Sequence, residues 1–141
     1  MPQTLEFKQS SHLHPALSDA GTELNADKLL GRWVNTNRET QGIAECEVKK
    51  DEGRISIRIV GVGEDGPIEW PVADVQVLAN LEEEAGQRAV ALAANFDFGF
   101  MTAETYIRVN KGVLVIVLFA GFRDQSGRSG YVNREFFYRP D

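Results

Sequence analysis

The sequence predicts an all-β fold, an eight-stranded antiparallel up-and-down β-barrel that follows a short helical turn and an irregular N-terminal arm. Three observations predict this class. Runs rich in β-branched and aromatic residues follow one another from residue 32 to residue 139. Glycine-containing turn signals separate these runs, and no long helical pattern interrupts them. A β-sandwich is the alternative architecture.

The elements follow in order along the chain. Residues 1–24 are polar and predict an arm, and residues 25–141 predict a single barrel domain. The domain begins with one helical turn, from Asn25 to Gly31. The predicted strands cover residues 32–37, 43–51, 54–62, 72–79, 88–97, 101–110, 113–123 and 131–139.

The two-residue turn Lys111-Gly112 fixes which residues share a face, because opposed residues of antiparallel strands point to the same side. It pairs Glu104 with Phe119. A register carried through the last turn pairs Leu118 with Phe136. The face predicted to lie inside contains Ala103, Thr105, Ile107, Val109, Leu114, Ile116, Leu118, Phe122, Arg134, Phe136 and Tyr138. The face predicted to lie outside contains Glu104, Tyr106, Arg108, Val115, Val117, Phe119, Glu135, Phe137 and Arg139.

Composition limits the classes of partner. The formal net charge of -6 argues against a nucleic-acid partner, and the scattered basic residues argue against a membrane surface. The single cysteine, Cys46, cannot form an internal disulfide, and its alternation with Ala44 and Val48 predicts a buried thiol. The N-terminus lacks the pattern of a secretory signal, and no apolar run approaches the ~20 residues of a membrane helix. We therefore expect a cytoplasmic protein.

Motifs for cofactor or metal chemistry are absent from the sequence. Both histidines, His12 and His14, lie in the predicted arm. Two ligands on such a segment are a poor metal site, so no metal is expected. The sequence contains no Cys-x-x-Cys pair, no phosphate-binding glycine loop and no nucleophile elbow. No cofactor is expected.

The segment Leu29-Leu30-Gly31-Arg32-Trp33 opens the first predicted strand. Its Gly-x-Trp pattern resembles the start of the calycin barrels, which include the lipocalins and the fatty-acid-binding proteins, and the chain is similar to a divergent member over residues 29–139. The resemblance implies a small-molecule container in which Gly31 and Trp33 close one end. It also implies that an arginine of the last strand, Arg134 or Arg139, stacks on the indole.

The main function hypothesis is non-covalent binding of a small hydrophobic molecule, with a carboxylate as one candidate for its polar group. An arginine in an apolar cavity needs a partner of opposite charge, and Arg134 on the inward face would hold that carboxylate. Trp70 follows the longest turn and is predicted either to cover the open mouth or to anchor a loop. The candidate binding residues are Asn35, Trp70, Thr105, Arg134, Phe136 and Tyr138.

A second hypothesis makes the chain an enzyme, and the sequence leaves this question open. With the two faces exchanged, Glu104, Tyr106 and Glu135 would meet inside the barrel. A desolvated carboxyl group beside a tyrosine could then act as a general acid or base in a cofactor-free cyclase or isomerase with a polyketide-like substrate.

A third hypothesis makes the chain an interaction module. The predicted strand 113–123 is apolar on both faces, so Val115, Val117, Phe119 and Phe137 need cover on the outside. A second copy of the chain is the expected cover, which predicts a homodimer. The N-terminal arm is the alternative.

Overall fold

A computed structural model describes residues 25–79 and 90–140. Within these ranges, the helical element is the 3-10 turn Asp27–Leu29. The strands are β1 (Gly31–Asn35), β2 (Ile43–Asp51), β3 (Arg54–Gly63), β4 (Gly66–Glu69), β5 (Asp74–Ala79), β6 (Val90–Asp97), β7 (Met101–Asn110), β8 (Val113–Phe122) and β9 (Tyr131–Tyr138). They form one antiparallel sheet in the order β4-β3-β2-β1-β9-β8-β7-β6-β5, which curls into a half-barrel. The prediction of an all-β, barrel-like fold is confirmed at this level.

The described residues contain nine strands, whereas the sequence predicts eight. The additional strand is β4, which pairs with the end of β3 and lies at the edge of the sheet. The sequence does not predict this strand, because the glycines and the proline between residues 63 and 67 usually indicate a loop. Pro67 is compatible with an edge strand, where its missing N–H removes no ladder hydrogen bond.

The predicted pairing of β7 with β8 is confirmed. Lys111 and Gly112 have φ values of 54° and 80°, as a tight hairpin turn requires, and Glu104 lies opposite Phe119. The inner residues of the two strands are buried, namely Ala103, Thr105, Ile107, Leu114, Ile116 and Leu118.

The predicted register of β9 is wrong. Leu118 lies opposite Asn133, three residues before the predicted partner Phe136. An odd shift exchanges the two faces of a strand, because side chains alternate along it. The eight-residue connection 123–130 contains no two-residue turn that would fix the register. Aromatic residues on both faces of β9 also leave the alternation ambiguous.

The corrected register turns the predicted inward residues of β9 outward. Arg134, Phe136 and Tyr138 are exposed on the outer face. Phe137, predicted to lie outside, is fully buried, and Glu135 shares its inward face. The core therefore contains Phe137 where the sequence predicts Phe136.

The inner faces of the strands form one hydrophobic core. Its largest fully buried side chains include Trp33, Phe96 and Phe137. Cys46 belongs to this core, so the prediction of a buried thiol is confirmed, and burial raises the pKa of the Cys46 thiol to about 12.

Two predictions concern parts of the chain that lie outside the described residues. These are the arm of residues 1–24 and the pair His12 and His14. Across residues 25–79 and 90–140, the structure contains no helix with the length and apolar character that a membrane crossing requires.

Candidate functional site

Trp33 lies at one end of the half-barrel, where its side chain contacts other residues of the chain. The indole is buried, and its N–H donates a 2.9 Å hydrogen bond to the carbonyl oxygen of Leu29. The Arg139 guanidinium lies 4.1 Å from the ring centroid, a cation–π distance. Of the two arginines predicted to stack here, the structure places Arg139 on the indole and Arg134 on the outer face.

Hydrogen bonds hold the Arg139 side chain in this position. Its two terminal nitrogens donate to the carbonyl oxygens of Leu30 and Lys28, at 2.6 and 2.8 Å. Gly31 has a φ of 114°, and a Cβ at this position would lie 2.7 Å from Nη1 of Arg139. Glycine therefore permits both the positive φ angle and the close approach of the Arg139 side chain. Trp33 and Arg139 together fill this end of the half-barrel.

A cavity of about 750 Å³ lies at the opposite end, between the β1–β2 loop and β9. Ile43, Leu118 and Trp70 form its apolar part. The polar part of the wall comes from the β1–β2 loop and from the start of β9. The cavity therefore combines an apolar floor with a polar wall.

Glu135 is the centre of the polar wall. Oε1 accepts hydrogen bonds from the Asn35 amide and from the Thr40 hydroxyl, the latter at 2.7 Å. Oε2 accepts from the Ile43 N–H at 3.3 Å and from the Asn133 amide at 3.0 Å. All four donors are neutral. A carboxylate has about four acceptor positions, so these donors use its capacity and tie β9 to β1, β2 and their loop.

The β1–β2 loop has its own local hydrogen bonds. Oδ1 of the buried Asn35 accepts the Asn37 N–H at 2.7 Å, and Oδ1 of Asn37 accepts the Glu39 N–H at 3.0 Å. Such side-chain-to-backbone bonds explain the asparagine at position 37 of this loop. At Gly42 a Cβ would lie only 2.3 Å from Oε2 of Glu135, so the loop approaches the carboxylate more closely than an alanine would allow.

Trp70 forms one wall of the cavity. Its ring packs edge-on against Phe96 and Phe98, with centroids 5.0 and 5.1 Å apart. A Cβ at Gly61 would lie 2.5 Å from the indole nitrogen, so this glycine makes room for the ring. Among the described residues, the indole N–H has no hydrogen-bond partner. Trp70 therefore presents both an apolar ring and a polar donor at the cavity.

Five aromatic residues lie in series around this end, and we call them the aromatic rim. They are Trp70, Phe98, Phe100, Phe122 and Tyr131. Phe98 is followed by Phe100, Phe122 and Tyr131, with successive centroid distances of 6.4, 6.4 and 6.3 Å. Phe100 is 47% exposed and Tyr131 is 50% exposed. Tyr131 also lines the cavity, so the rim joins the cavity to the exposed surface.

The structure brings together only part of the predicted binding set. Asn35 and Trp70 lie in the cavity wall. Thr105 is buried in the core, where its hydroxyl donates to the carbonyl oxygen of Ala94 at 2.8 Å. The remaining three residues, Arg134, Phe136 and Tyr138, are on the outer face of β9. Arg134 and Phe136 reach the edge of the cavity, and the Arg134 guanidinium lies 5.5 Å from the Phe136 ring.

The three residues of the enzyme hypothesis do not meet. Glu104 and Tyr106 are on the outer face of β7, whereas Glu135 is on the inner face of β9. In the described part of the chain, no group of three or more acidic, histidine or cysteine side chains could hold a metal ion.

Comparisons of the chain with protein-family models, with curated proteins and with solved structures found no match. The resemblance to the calycin barrels therefore stays a prediction, and the candidate site is defined by its geometry.

Proposed function

We propose that the protein binds a small molecule non-covalently in the cavity at the aromatic rim. The observation that carries this proposal is the cavity itself, because its volume of about 750 Å³ is in the range of small-molecule sites. An apolar part of the ligand would contact Ile43, Leu118 and Trp70. The Glu135 hydrogen bonds hold the polar wall in place before a ligand arrives, which lowers the entropic cost of binding.

The corrected register changes the expected polar anchor of this ligand. A carboxylate held inside the barrel would need an inward cation, and Arg134 is exposed on the outer face. The inward charged residue of β9 is Glu135, whose acceptor positions are used by the chain. The geometry therefore supports a ligand with an apolar portion but gives no support to a carboxylate anchor at Arg134.

Native mass spectrometry of protein purified from its source organism tests the proposal. We expect an additional mass of one small molecule. Asn133→Trp narrows the cavity from an exposed position and should remove that mass, whereas Tyr138→Trp, on the outer face of the same strand, should retain it. Folded wild-type protein that carries no bound molecule and also binds no added small molecule would overturn the proposal.

A second candidate function is an interaction through the outer surface. Four exposed side chains of β8 and β9 lie there, namely Phe119, Val132, Phe136 and Tyr138. Together with Val115 and Val117 they form what we call the outer apolar face. Phe136 takes the place that the sequence assigns to Phe137. We propose that a second copy of the chain covers this face, so the protein should sediment as a dimer.

A further inference from the structure

We propose that the ligand of the cavity is an uncharged, polyhydroxylated ring compound, which is the chemistry of a sugar. Because it names the ligand class of the same cavity, this inference rests on the proposed function. A sugar ring combines two properties. Its hydroxyl groups donate and accept hydrogen bonds, and its C–H faces are apolar enough to lie against aromatic rings. The cavity and its rim match both properties.

The aromatic rim supplies the surface for the apolar faces. Tyr131 and Phe100 are half exposed although they are aromatic, and Trp70 continues this surface into the cavity. Amphipathic rings such as those of tyrosine and tryptophan suit a site with one apolar and one wet side. A ligand in the cavity would therefore contact aromatic surface at its outer side as well as the floor.

The charges near the cavity do not favour an ionic ligand, because several have partners within the chain and the other two charged residues of its wall, Glu39 and Arg134, have opposite signs. Four neutral donors use the acceptor positions of Glu135. The Arg128 guanidinium lies 4.1 Å from the Phe122 ring centroid and pairs with Asp124 at 2.6 Å. Arg123 pairs with Asp97. A ligand that enters beside these pairs meets no strong field of one sign.

Several neutral polar groups of the cavity wall remain for a ligand. Among residues 25–79 and 90–140, the Asn133 side chain has its one hydrogen bond with Glu135, so its carbonyl oxygen is available. The Gln41 amide and the Trp70 indole N–H have no partner in the same described ranges. Amides both donate and accept, which is what hydroxyl groups require. A wholly apolar ligand would leave these groups without partners at a cost in free energy.

Saturation-transfer NMR with wild-type protein tests the inference. The sugar probes are the methyl glycosides of glucose, galactose, mannose and N-acetylglucosamine, together with maltose and cellobiose. Decanoate, an ionised carboxylate with a long apolar chain, is the probe for a hydrophobic, carboxylate-bearing ligand, and it also tests the proposed function. We expect transfer to the C–H protons of at least one sugar, with weaker transfer to decanoate.

Two tyrosines of β9 form a matched pair of controls, because both are exposed and only one lines the cavity. Tyr131→Ala should weaken sugar binding roughly three- to tenfold, the range of one aromatic contact. Tyr138→Ala should leave binding unchanged. Trp70→Phe keeps a ring but removes the indole N–H, and it should also weaken binding.

The outcomes separate the inference from the proposed function. Binding of decanoate, without binding of any sugar in the panel, overturns the sugar class and leaves the proposed function standing. Absence of binding by every probe, together with an apo wild-type mass, overturns both. Sugar binding that Tyr131→Ala and Trp70→Phe leave unaltered overturns the assignment to this cavity.

Discussion

Arg134 and Arg139 show how strongly position decides the role of a residue. Both are exposed arginines near the end of the chain, and each lies over an aromatic ring. Arg139 is 4.1 Å from the Trp33 centroid and donates to two backbone carbonyl groups. Arg134 is 5.5 Å from the Phe136 centroid. The sequence offers both arginines as partners for Trp33, and only the register of β9 separates them.

Arg139→Ala is expected to destabilise the fold by about 2 kcal/mol, because it removes a cation–π contact and two charge-assisted hydrogen bonds. Arg134→Ala is the matched control and, at protein concentrations where the chain is monomeric, should change the free energy of unfolding by less than about 0.5 kcal/mol. Urea unfolding of the two variants measures both values. Equal losses would contradict the role of Arg139 at the closed end.

Glu135 allows a similar test at the open end. Glu135→Ala leaves the Ile43 N–H and the Asn35 and Thr40 side chains without their shared acceptor. We expect a loss of about 2 kcal/mol in the free energy of unfolding. Glu104→Ala, on the exposed outer face, should cost less than about 0.5 kcal/mol. Amide hydrogen exchange should also become faster at Ile43, and a protected Ile43 N–H in Glu135→Ala would contradict its hydrogen bond to Glu135.

At the scale of the elements, the sequence predicts the register of two strands where a two-residue turn connects them. The Lys111-Gly112 turn leaves one register for β7 and β8, and the predicted pairs are observed. The connection 123–130 leaves several registers open, and the register that the sequence predicts for β9 has its two faces exchanged. The Glu135 site escapes prediction for a related reason, since Glu135 and Asn35 are 100 residues apart along the chain. Only a correct register brings them together.

Glycine substitutions test the importance of this turn. Gly112 has a φ of 80°, which side chains with a Cβ adopt at a cost, so Gly112→Ala should destabilise the protein by about 1 kcal/mol. Gly121, near the end of β8, is the control. A Cβ there would meet only Oγ1 of Thr102, at 3.9 Å, and Gly121 is not among the described glycines with a positive φ. Gly121→Ala should therefore be neutral within about 0.5 kcal/mol. Thermal unfolding compares them, and equal melting temperatures would contradict this explanation.

At the scale of the whole molecule, the two faces of the sheet differ in how far their apolar side chains are covered. The inner face is packed by its own side chains, whereas the outer apolar face exposes large side chains in one continuous area. Cross-strand pairs connect this area, since Phe119 lies opposite Val132 and Val115 lies opposite Phe136. Contiguous apolar surface of this kind usually marks an interface.

A two-fold dimer would bury this area with matching contacts. An axis parallel to β8 places the β9 side of one copy against the β7 side of the other. Arg134 then faces Tyr106 of the second copy, because both residues flank Val117 at the same level of the sheet. A guanidinium over a tyrosine ring makes a favourable cation–π contact. In this arrangement the two Arg134 side chains of the dimer do not face each other, so they do not repel each other.

We therefore expect the wild-type protein to sediment as a dimer at micromolar concentration. Phe119→Glu places a carboxylate at the centre of the buried area in each copy and should convert the dimer to a monomer, because unpaired charges are costly to bury. Gln76→Glu, at an exposed position on β5 away from this face, should leave the dimer intact. Sedimentation equilibrium measures the masses, and circular dichroism confirms that each variant is folded. A monomeric wild type, or a Phe119→Glu variant that remains dimeric, would exclude this face as the interface between two copies.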